Sequence, residues 1–152
     1  MKDNQNCSVE AMFYGMHFRR LVEKEIEPIR EKYGLCRIDA QILMYLGDHQ
    51  NEKDTSKDIL KLNMFTKGHI SQSLTRLQKA GYVYMEQDSK DRRYTHNYLT
   101  DKAKKLVTSI KKRHAELWEE IMNGITDEEK EVLKNVAIKI NKNISCALGT
   151  GQ

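Results

Sequence analysis

The apolar residues of this chain keep a helical spacing along most of its length, and one stretch, residues 82–100, departs from it. Within that stretch, residues 82–88 and 94–100 are rich in Tyr, Val and Thr, which favour β-structure. They flank a charged loop, Ser89-Lys90-Asp91-Arg92-Arg93, so the pattern predicts an antiparallel hairpin. Helical segments on both sides predict the order α-α-α-α-β-β-α-α, a mainly α chain of the α+β class with one small β-hairpin.

The helices before the hairpin are predicted over residues 8–32, 37–47, 56–62 and 67–80. Pro28 lacks an amide donor and is expected to kink or end the first helix, which Gly34 then caps. Thr55 or Ser56 can cap the third helix and Thr66 the fourth, because a hydroxyl accepts a first-turn amide. The apolar residues predicted to be buried by helices two to four are Ile38, Ile42, Leu43, Leu46, Ile59, Leu60, Leu62, Ile70, Leu74 and Leu77.

Two long helices are predicted after the hairpin, over residues 101–122 and 127–146. Thr126, with Glu129 three residues later, has the spacing of a capping box and marks the start of the second one. Their apolar stripes exceed what a small central domain can cover, which predicts pairing with a second copy of the chain. Packing onto the chain's own core is the alternative. The stripe of the first of these helices consists of Ala103, Leu106, Val107, Ile110, Leu117 and Ile121. The second is predicted to bury Leu133, Val136, Ile140 and Ile144.

Length and composition exclude several classes of protein. A chain of 152 residues suits one domain, and no apolar run approaches the roughly 18 residues that cross a bilayer. No apolar leader opens the chain, so we expect neither a membrane-spanning nor a secreted protein. Cys7, Cys36 and Cys146 are too scattered for a disulfide framework or a structural zinc site, which favours a reducing cytoplasm.

Positive charge is concentrated in the middle of the chain. Residues 55–113 carry 14 basic and 5 acidic side chains, against 8 and 10 in residues 1–54 and 4 and 7 in residues 114–152. A basic block of this kind attracts phosphates. The alternative is a solvated, lysine-rich face.

Residues 55–81 predict a helix, a turn and a second helix whose polar face suits a DNA major groove. Gln72 can pair with adenine, Lys67 and the first-turn amides can meet phosphates, and Gly68 allows close approach of the backbone. An ordinary amphipathic surface helix is the alternative. The predicted contact residues are Thr66, Lys67, Gly68, His69, Ser71, Gln72 and Arg76.

The predicted hairpin carries Lys90, Arg92 and Arg93 at its tip. A ribbon of this kind beside a helix-turn-helix has the geometry of a wing, and an arginine at its tip can enter a minor groove. Asp91 is expected to pair with a neighbouring arginine or to cap the turn, because a carboxylate facing outward would repel phosphate. A charged turn without a function is the alternative.

With these features the chain resembles the MarR family of bacterial winged helix-turn-helix regulators. The most specific element is Asp91-x-Arg93 in the wing, followed by a Leu-Thr pair. The resemblance implies that the helix starting at Thr66 is the recognition helix, that Arg93 enters the minor groove, and that Asp91 orients it. The matching segments are residues 66–81, Tyr82-Val83, residues 88–93, Tyr98-Leu99-Thr100, and Gly34-Leu35 with Gln41 in the next helix.

The resemblance also implies the organisation of the whole chain. Residues 1–152 form a single MarR-type domain, with a winged-helix DNA-binding core over 34–100 and dimerisation helices over 8–32 and 101–148. The chain departs from the family at Ala103, where glycine is common, at Cys36, where threonine is common, and at Gly68 early in the recognition helix. Family members often respond to phenolic ligands, oxidants or metals.

Sites for other chemistry are weaker. Cys36 near the start of the second helix would suit a redox sensor, but a buried or capping structural cysteine is the favoured interpretation. His17 and His114 with Glu116 could form a metal site at a dimer core, with partly buried histidines as the alternative, and we predict no metal and no cofactor. Walker A, GxGxxG and GxSxG motifs are missing, so we expect no enzyme activity.

The favoured function is that of a sequence-specific, DNA-binding transcriptional regulator in the cytoplasm, interpreted as a repressor that binds a palindromic operator as a homodimer. Its predicted partners are double-stranded DNA, a second copy of itself and a small-molecule effector, and no membrane. An architectural or RNA-binding winged helix is one alternative. A protein-interaction module whose wing contacts an acidic partner is another. The effector, the operator and the direction of regulation are not identified by the sequence.

Overall fold

The structure is a computed structural model that describes residues 17–50 and 52–149. Within these residues the elements follow the predicted order, which confirms the mainly helical class with a β-hairpin. The predicted start of the first helix at residue 8 lies outside the described residues. The elements are α1 (Phe18–Lys32), α2 (Arg37–Asp48), α3 (Ser56–Leu60), α4 (Lys67–Lys79), β1 (Val83–Gln87), β2 (Thr95–Leu99), α5 (Asp101–Ile121) and α6 (Asp127–Ala147).

The described residues divide into two compact units. One unit is residues 26–113, which contain the whole of the predicted winged-helix core, and the other is residues 17–25 with 114–149. The interior of the first unit is apolar and is built from α2, α3, α4, both strands and the start of α5. Its buried residues include Ile42, Leu43, Leu46, Ile59, Ile70, Leu74, Leu77, Val83, Leu99, Ala103, Leu106, Val107 and Ile110.

A glycine cap ends α1, as the sequence predicted. The helix contains Pro28 and continues to Lys32, so an end at the proline is wrong. The proline removes one amide donor, and the remaining turn is closed by the cap. Gly34 has a φ of 64°, and its amide donates to the carbonyl of Glu31 at 3.1 Å. The next amide donates to the carbonyl of Arg30 at 2.9 Å, which completes a Schellman motif.

Helix α3 is shorter than predicted. Thr55 caps it with its hydroxyl, and Ile59 is completely buried. Leu60 and Leu62 are 37% and 39% exposed, so their predicted burial is wrong. The reason is that Asn63 takes a left-handed φ of 54°, so the chain cannot continue as a helix. A helix of little more than one turn turns only one of these side chains toward the interior.

The second unit contains a small apolar cluster between the end of α5 and α6. Thr126 caps α6 and forms the predicted capping box with Glu129. Met122 and Ala137 are buried, and partly buried apolar residues pack against them. These neighbours are Trp118, Ile125 and Leu133.

An apolar face of α6 stays exposed in the single chain. Val136, Ile140 and Ile144, which the sequence predicted to be buried, are 42%, 38% and 51% exposed, and Leu133 is only half-buried. The burial predicted for these residues is therefore wrong within a single chain, because Ala137 is the residue on the buried side of the helix. Residues four apart form an exposed row along α6 and its C-cap: Val132, Val136, Ile140, Ile144 and Leu148.

Gly47 is a close-packed position in α2. A Cβ at this site would lie 2.9 Å from Cγ1 of Val107 and 3.6 Å from Cδ1 of Leu99. Alanine usually stabilises a helix interior by about 1 kcal/mol relative to glycine. Here the stiff, β-branched side chain of Val107 can move little to make room for the added methyl group. We expect Gly47→Ala to lower the free energy of unfolding by about 1–2 kcal/mol in urea denaturation.

Gly68 provides the matched control for this prediction. A Cβ there would meet open space, the nearest atom being Oγ1 of Thr66 at 3.9 Å. Gly68→Ala should therefore leave the free energy of unfolding unchanged or raise it by up to about 1 kcal/mol. Equal stabilisation by the two substitutions would show that Val107 does not restrict residue 47.

Candidate nucleic-acid interface

Helix α4 brings the predicted reading residues to one exposed surface. Thr66 caps the helix by accepting the amide of His69 at 3.2 Å, as predicted. Gly81, with a φ of 72°, stops the chain from continuing as a helix. The buried side of α4 consists of Ile70, Ser73, Leu74 and Leu77. All the residues predicted to contact DNA are exposed: Thr66, Lys67, Gly68, His69, Ser71, Gln72 and Arg76.

Arg76 is the member of this set that is also ion-paired within the fold. Its Nη2 atom lies 2.8 Å from Oδ1 of Asp39, whose side chain is 4% exposed. The fully buried hydroxyl of Ser73 donates to the same oxygen at 2.5 Å. Arg76 also donates to Sγ of Cys36 at 3.3 Å. Asp39 on α2 therefore holds two side chains of α4 and fixes how α4 packs on α2.

Asp39 is ionised at neutral pH although it is buried. Burial opposes its charge, but hydrogen bonds from Arg76, Ser73 and Cys36 outweigh this effect and lower the pKa of Asp39. The same pairing raises the pKa of Arg76. The burial of Asp39 has a signal in the sequence, because Asp39 stands at helical spacing with the buried residues Ile42 and Leu46. Ile38, predicted to be buried in this stripe, is only half-buried.

The hairpin forms with the predicted antiparallel pairing, from Val83 opposite Leu99 to Gln87 opposite Thr95. At its tip, the guanidinium of Arg93 donates hydrogen bonds to the carboxylate of Asp91, with Nη2 at 2.7 Å from Oδ2 and Nε at 3.0 Å from Oδ1. The backbone amide of Arg93 also donates to Asp91, at 3.1 Å. This confirms the expected pairing, and the arginine side chain still stays 85% exposed.

The Asp91–Arg93 pair fixes the positions of two charged groups at the tip of the wing. The hydrogen bond from Arg93 lowers the pKa of Asp91, so the carboxylate stays ionised over the physiological range. Lys90 and Arg92, also predicted to contact DNA, are exposed beside it. The wing therefore presents three basic side chains, of which Arg93 is held by a defined partner.

Asp88 at the base of the tip is a residue that the sequence reasoning missed. Its Oδ1 atom accepts the backbone amides of Lys90 at 2.7 Å and Asp91 at 2.8 Å. Its Oδ2 atom lies 3.0 Å from Nε2 of His96, whose Nδ1 atom lies 2.5 Å from Oδ1 of Asp54. A buried aspartate before α3 is thus connected through His96 to the backbone of the wing tip.

The pKa shifts follow from these contacts. The hydrogen bond from His96, together with the two tip amides, lowers the pKa of Asp88 to about 2. Asp54 and then Asp88 raise the pKa of His96 above its usual 6.5. Local spacing gave no signal for this set, because residues 54 and 96 meet through a bridge between Thr55 and His96.

The sequence also suggested candidate residues for redox and metal chemistry. Cys36 occupies the N-cap of α2 and is exposed; the structural role stays the prediction, with a redox role as the alternative. His17 is exposed, and partial burial lowers the pKa of His114. Across residues 17–50 and 52–149, no group of three or more His, Cys, Asp or Glu lies close enough together to hold a metal ion. None of the helices in this described part is both long and apolar enough to span a bilayer.

Comparison with known proteins supports this reading of the fold. The family described as "Winged helix DNA-binding domain" matches residues 35–103. The uncharacterized HTH-type transcriptional regulator YdgJ of Bacillus subtilis is 26% identical over 109 residues, which cover 72% of this chain and 64% of that protein. The match thus spans just under two thirds of the length of YdgJ.

Solved structures agree with the sequence comparisons. A MarR transcriptional regulator from Methanosarcina mazei Go1 is 26% identical, with a TM-score of 0.62 over 82% of this chain and 86% of that one. MepR of S. aureus, solved as a complex with DNA, is 22% identical, with a TM-score of 0.62 over 88% of this chain and 98% of that one. At that identity the MepR likeness shows the fold.

Proposed function

We propose that the chain is a member of the MarR family of winged helix-turn-helix proteins and a sequence-specific transcriptional regulator that represses by occupying a palindromic operator as a homodimer. The observation that carries the proposal is the wing tip, where Asp91 orients an exposed Arg93 in the same compact unit as the polar face of α4. A recognition helix and an oriented wing arginine are the two elements such a protein uses on DNA.

Helix α4 supplies the base-reading part of the proposal. The hydroxyl of Thr66 accepts the amide of His69, and the amides of Lys67 and Gly68 lie at the same helix N-terminus, where the helix dipole favours a phosphate. Gln72, one turn further along, has an amide that can bond both N6 and N7 of adenine. Lys67 and His69 on the first turn add phosphate or base contacts.

The wing supplies the second contact. A guanidinium fixed at the end of a narrow hairpin can enter a minor groove, which is most electronegative where A·T tracts narrow it. Lys90 and Arg92 would then lie against the sugar–phosphate backbone on either side. An A·T-rich segment at the outer edge of each half-site is the expected target.

The homodimer part of the proposal is supported by the exposed row of apolar residues on α6. Five large aliphatic side chains spaced four residues apart are costly to leave in water. A second copy of the chain has the same row, and a two-fold dimer would present two recognition helices to two half-sites. A small molecule that favours one separation of the two helices would then regulate binding.

The proposal includes cytoplasmic residence with the operator and no enzyme activity, since binding alone accounts for repression.

The base-reading role of Gln72 tests the proposal. We expect Gln72→Ala to reduce the preference for the native operator, over one with a single A·T pair replaced, by about tenfold. Affinity for an unrelated duplex should change much less, because non-specific binding rests on phosphate contacts. The measurement is fluorescence anisotropy on the three duplexes at one salt concentration.

Gln78→Ala is the matched control for Gln72. Gln78 is an exposed glutamine on the same helix, outside the predicted contact set. This variant should keep the affinity and base preference of the wild type. If Gln72→Ala lowers binding to all three duplexes equally, Gln72 is not a base reader.

A further inference from the structure

The imidazole of His96 lies between two carboxylates that belong to different parts of the fold. Its Nδ1 atom is 2.5 Å from Asp54, which is 2% exposed, and its Nε2 atom is 3.0 Å from Asp88. Asp88 also accepts the amides of Lys90 and Asp91 at the wing tip. The ring is therefore the connection between a buried, fixed group and the loop that carries Arg93.

Resting on the DNA-binding function proposed above, we propose that His96 is a positioning residue for the wing, which in its charged form ties Asp88 to Asp54 and holds the tip in the conformation that presents Arg93 to DNA.

The protonation state follows from the hydrogen-bonding capacity of the groups. An ionised carboxylate only accepts hydrogen bonds, and a neutral imidazole carries one N–H. A neutral His96 can therefore donate to one of its two neighbours, whereas the imidazolium donates to both. Asp54 is buried and has the shorter contact, so the bond that the neutral ring gives up is the one to Asp88.

The groups around the ring favour its charged form. Asp54 comes from the segment before α3, Asp88 from the end of β1, and Glu86 is the cross-strand partner of His96 on β1. Tyr98, on the same strand, stacks its ring on the imidazole with centroids 6.1 Å apart. Two carboxylates thus contact the ring, a third belongs to its cross-strand neighbour, and no cation is found in these contacts among the described residues.

The sign of the pH dependence follows from the raised pKa of His96. The charged ring is fully populated below about pH 6.5, and it is lost as the pH rises through the raised pKa. Operator binding should therefore be strongest in mildly acidic solution and weaken toward alkaline pH. Loss of the His96–Asp88 bond leaves the tip amides on Asp88 but removes the side-chain connection from the Asp88 carboxylate to Asp54.

The first test is made on the free protein and needs no variant. We expect the backbone amide signals of Lys90 and Asp91 in NMR to shift with pH, with the same midpoint as the ring signals of His96. Amide signals that stay constant while the ring titrates would show that the ring does not hold the tip, and would overturn the inference.

The second test is operator affinity at about pH 6 and about pH 8.5, measured for the wild type and for His96→Gln. The wild type should lose about tenfold in affinity between them. The variant should bind at both pH values with the affinity of the wild type at the higher one. His49→Gln is the control, because His49 bonds the Tyr45 carbonyl at the end of α2, outside this chain of contacts, and it should respond to pH as the wild type does.

The outcomes separate this inference from the proposed function. A full pH response in His96→Gln would assign the titration to another group and would overturn the inference alone. A wild-type chain that binds no duplex at either pH would overturn the proposed function and the role of His96 in DNA binding with it.

Discussion

Arg93→Ala should weaken binding to a specific operator by roughly ten- to a hundredfold, the scale expected for a lost groove contact. The physical reason is that Arg93 is oriented before DNA arrives: Asp91 holds its guanidinium through three N–H···O contacts of 2.7–3.2 Å. Little further ordering is then needed on binding. The measurement is anisotropy on a labelled operator, repeated over a salt series.

Two further variants distinguish orientation from charge. Arg93→Lys keeps the charge but cannot grip a carboxylate through two N–H groups, so it should recover only part of the affinity. Asp91→Asn removes a negative charge near phosphates, which alone would strengthen binding. If Asp91 orients Arg93, the same substitution should weaken operator binding instead. Stronger operator binding by Asp91→Asn, or unchanged affinity in a folded Arg93→Ala protein, would contradict a role in DNA binding for the Asp91–Arg93 pair.

Asp39→Ala should lower the free energy of unfolding by about 2–4 kcal/mol, because it removes the acceptor of a buried ion pair. The substitution leaves the fully buried hydroxyl of Ser73 without its acceptor and takes away the carboxylate that holds Arg76. The backbone amide of Cys36, which donates to Asp39 at 3.2 Å, loses its partner at the start of α2. Urea denaturation near neutral pH measures the change.

The controls for Asp39 are one variant at the same residue and one at its partner. Asp39→Asn preserves the shape and one acceptor, so it should cost less than alanine, and Ser73→Ala should cost about 1 kcal/mol. Because the pKa of Asp39 is lowered, its stabilisation is present above about pH 4 and is lost as the pH falls through that lowered pKa. Asp39→Asn should therefore reduce the loss of stability in acid. Equal acid sensitivity in the wild type and in this variant would contradict the assignment.

Much of the fold could be predicted because its signals are local. Caps at Thr66 and Thr126 and the glycines at 34 and 81 mark helix ends through bonds within a few residues. The hairpin was visible as a change of period around a charged loop, and the Asp91–Arg93 pair lies two residues apart. Such features depend on spacing that a sequence displays directly.

The remaining features depend on contacts between distant residues. Asp39 and Arg76 are 37 positions apart in the sequence, and Asp54 and His96 are 42 positions apart. No local pattern therefore predicts that either pair is in contact. The burial of α6 was predicted wrongly because periodicity identifies an apolar face without showing what covers it. For that helix, the buried position in the chain is a small residue, Ala137, and the larger side chains are left exposed.

The measurement that tests the central claim most directly is selection of bound sequences from a random duplex pool with the purified protein at near-physiological salt. The account predicts recovery of a two-fold symmetric motif with half-sites about one helical turn apart. Recovery of no motif, with binding that nevertheless weakens as salt is raised, would contradict a dimeric, sequence-specific regulator and would favour an architectural or RNA-binding role.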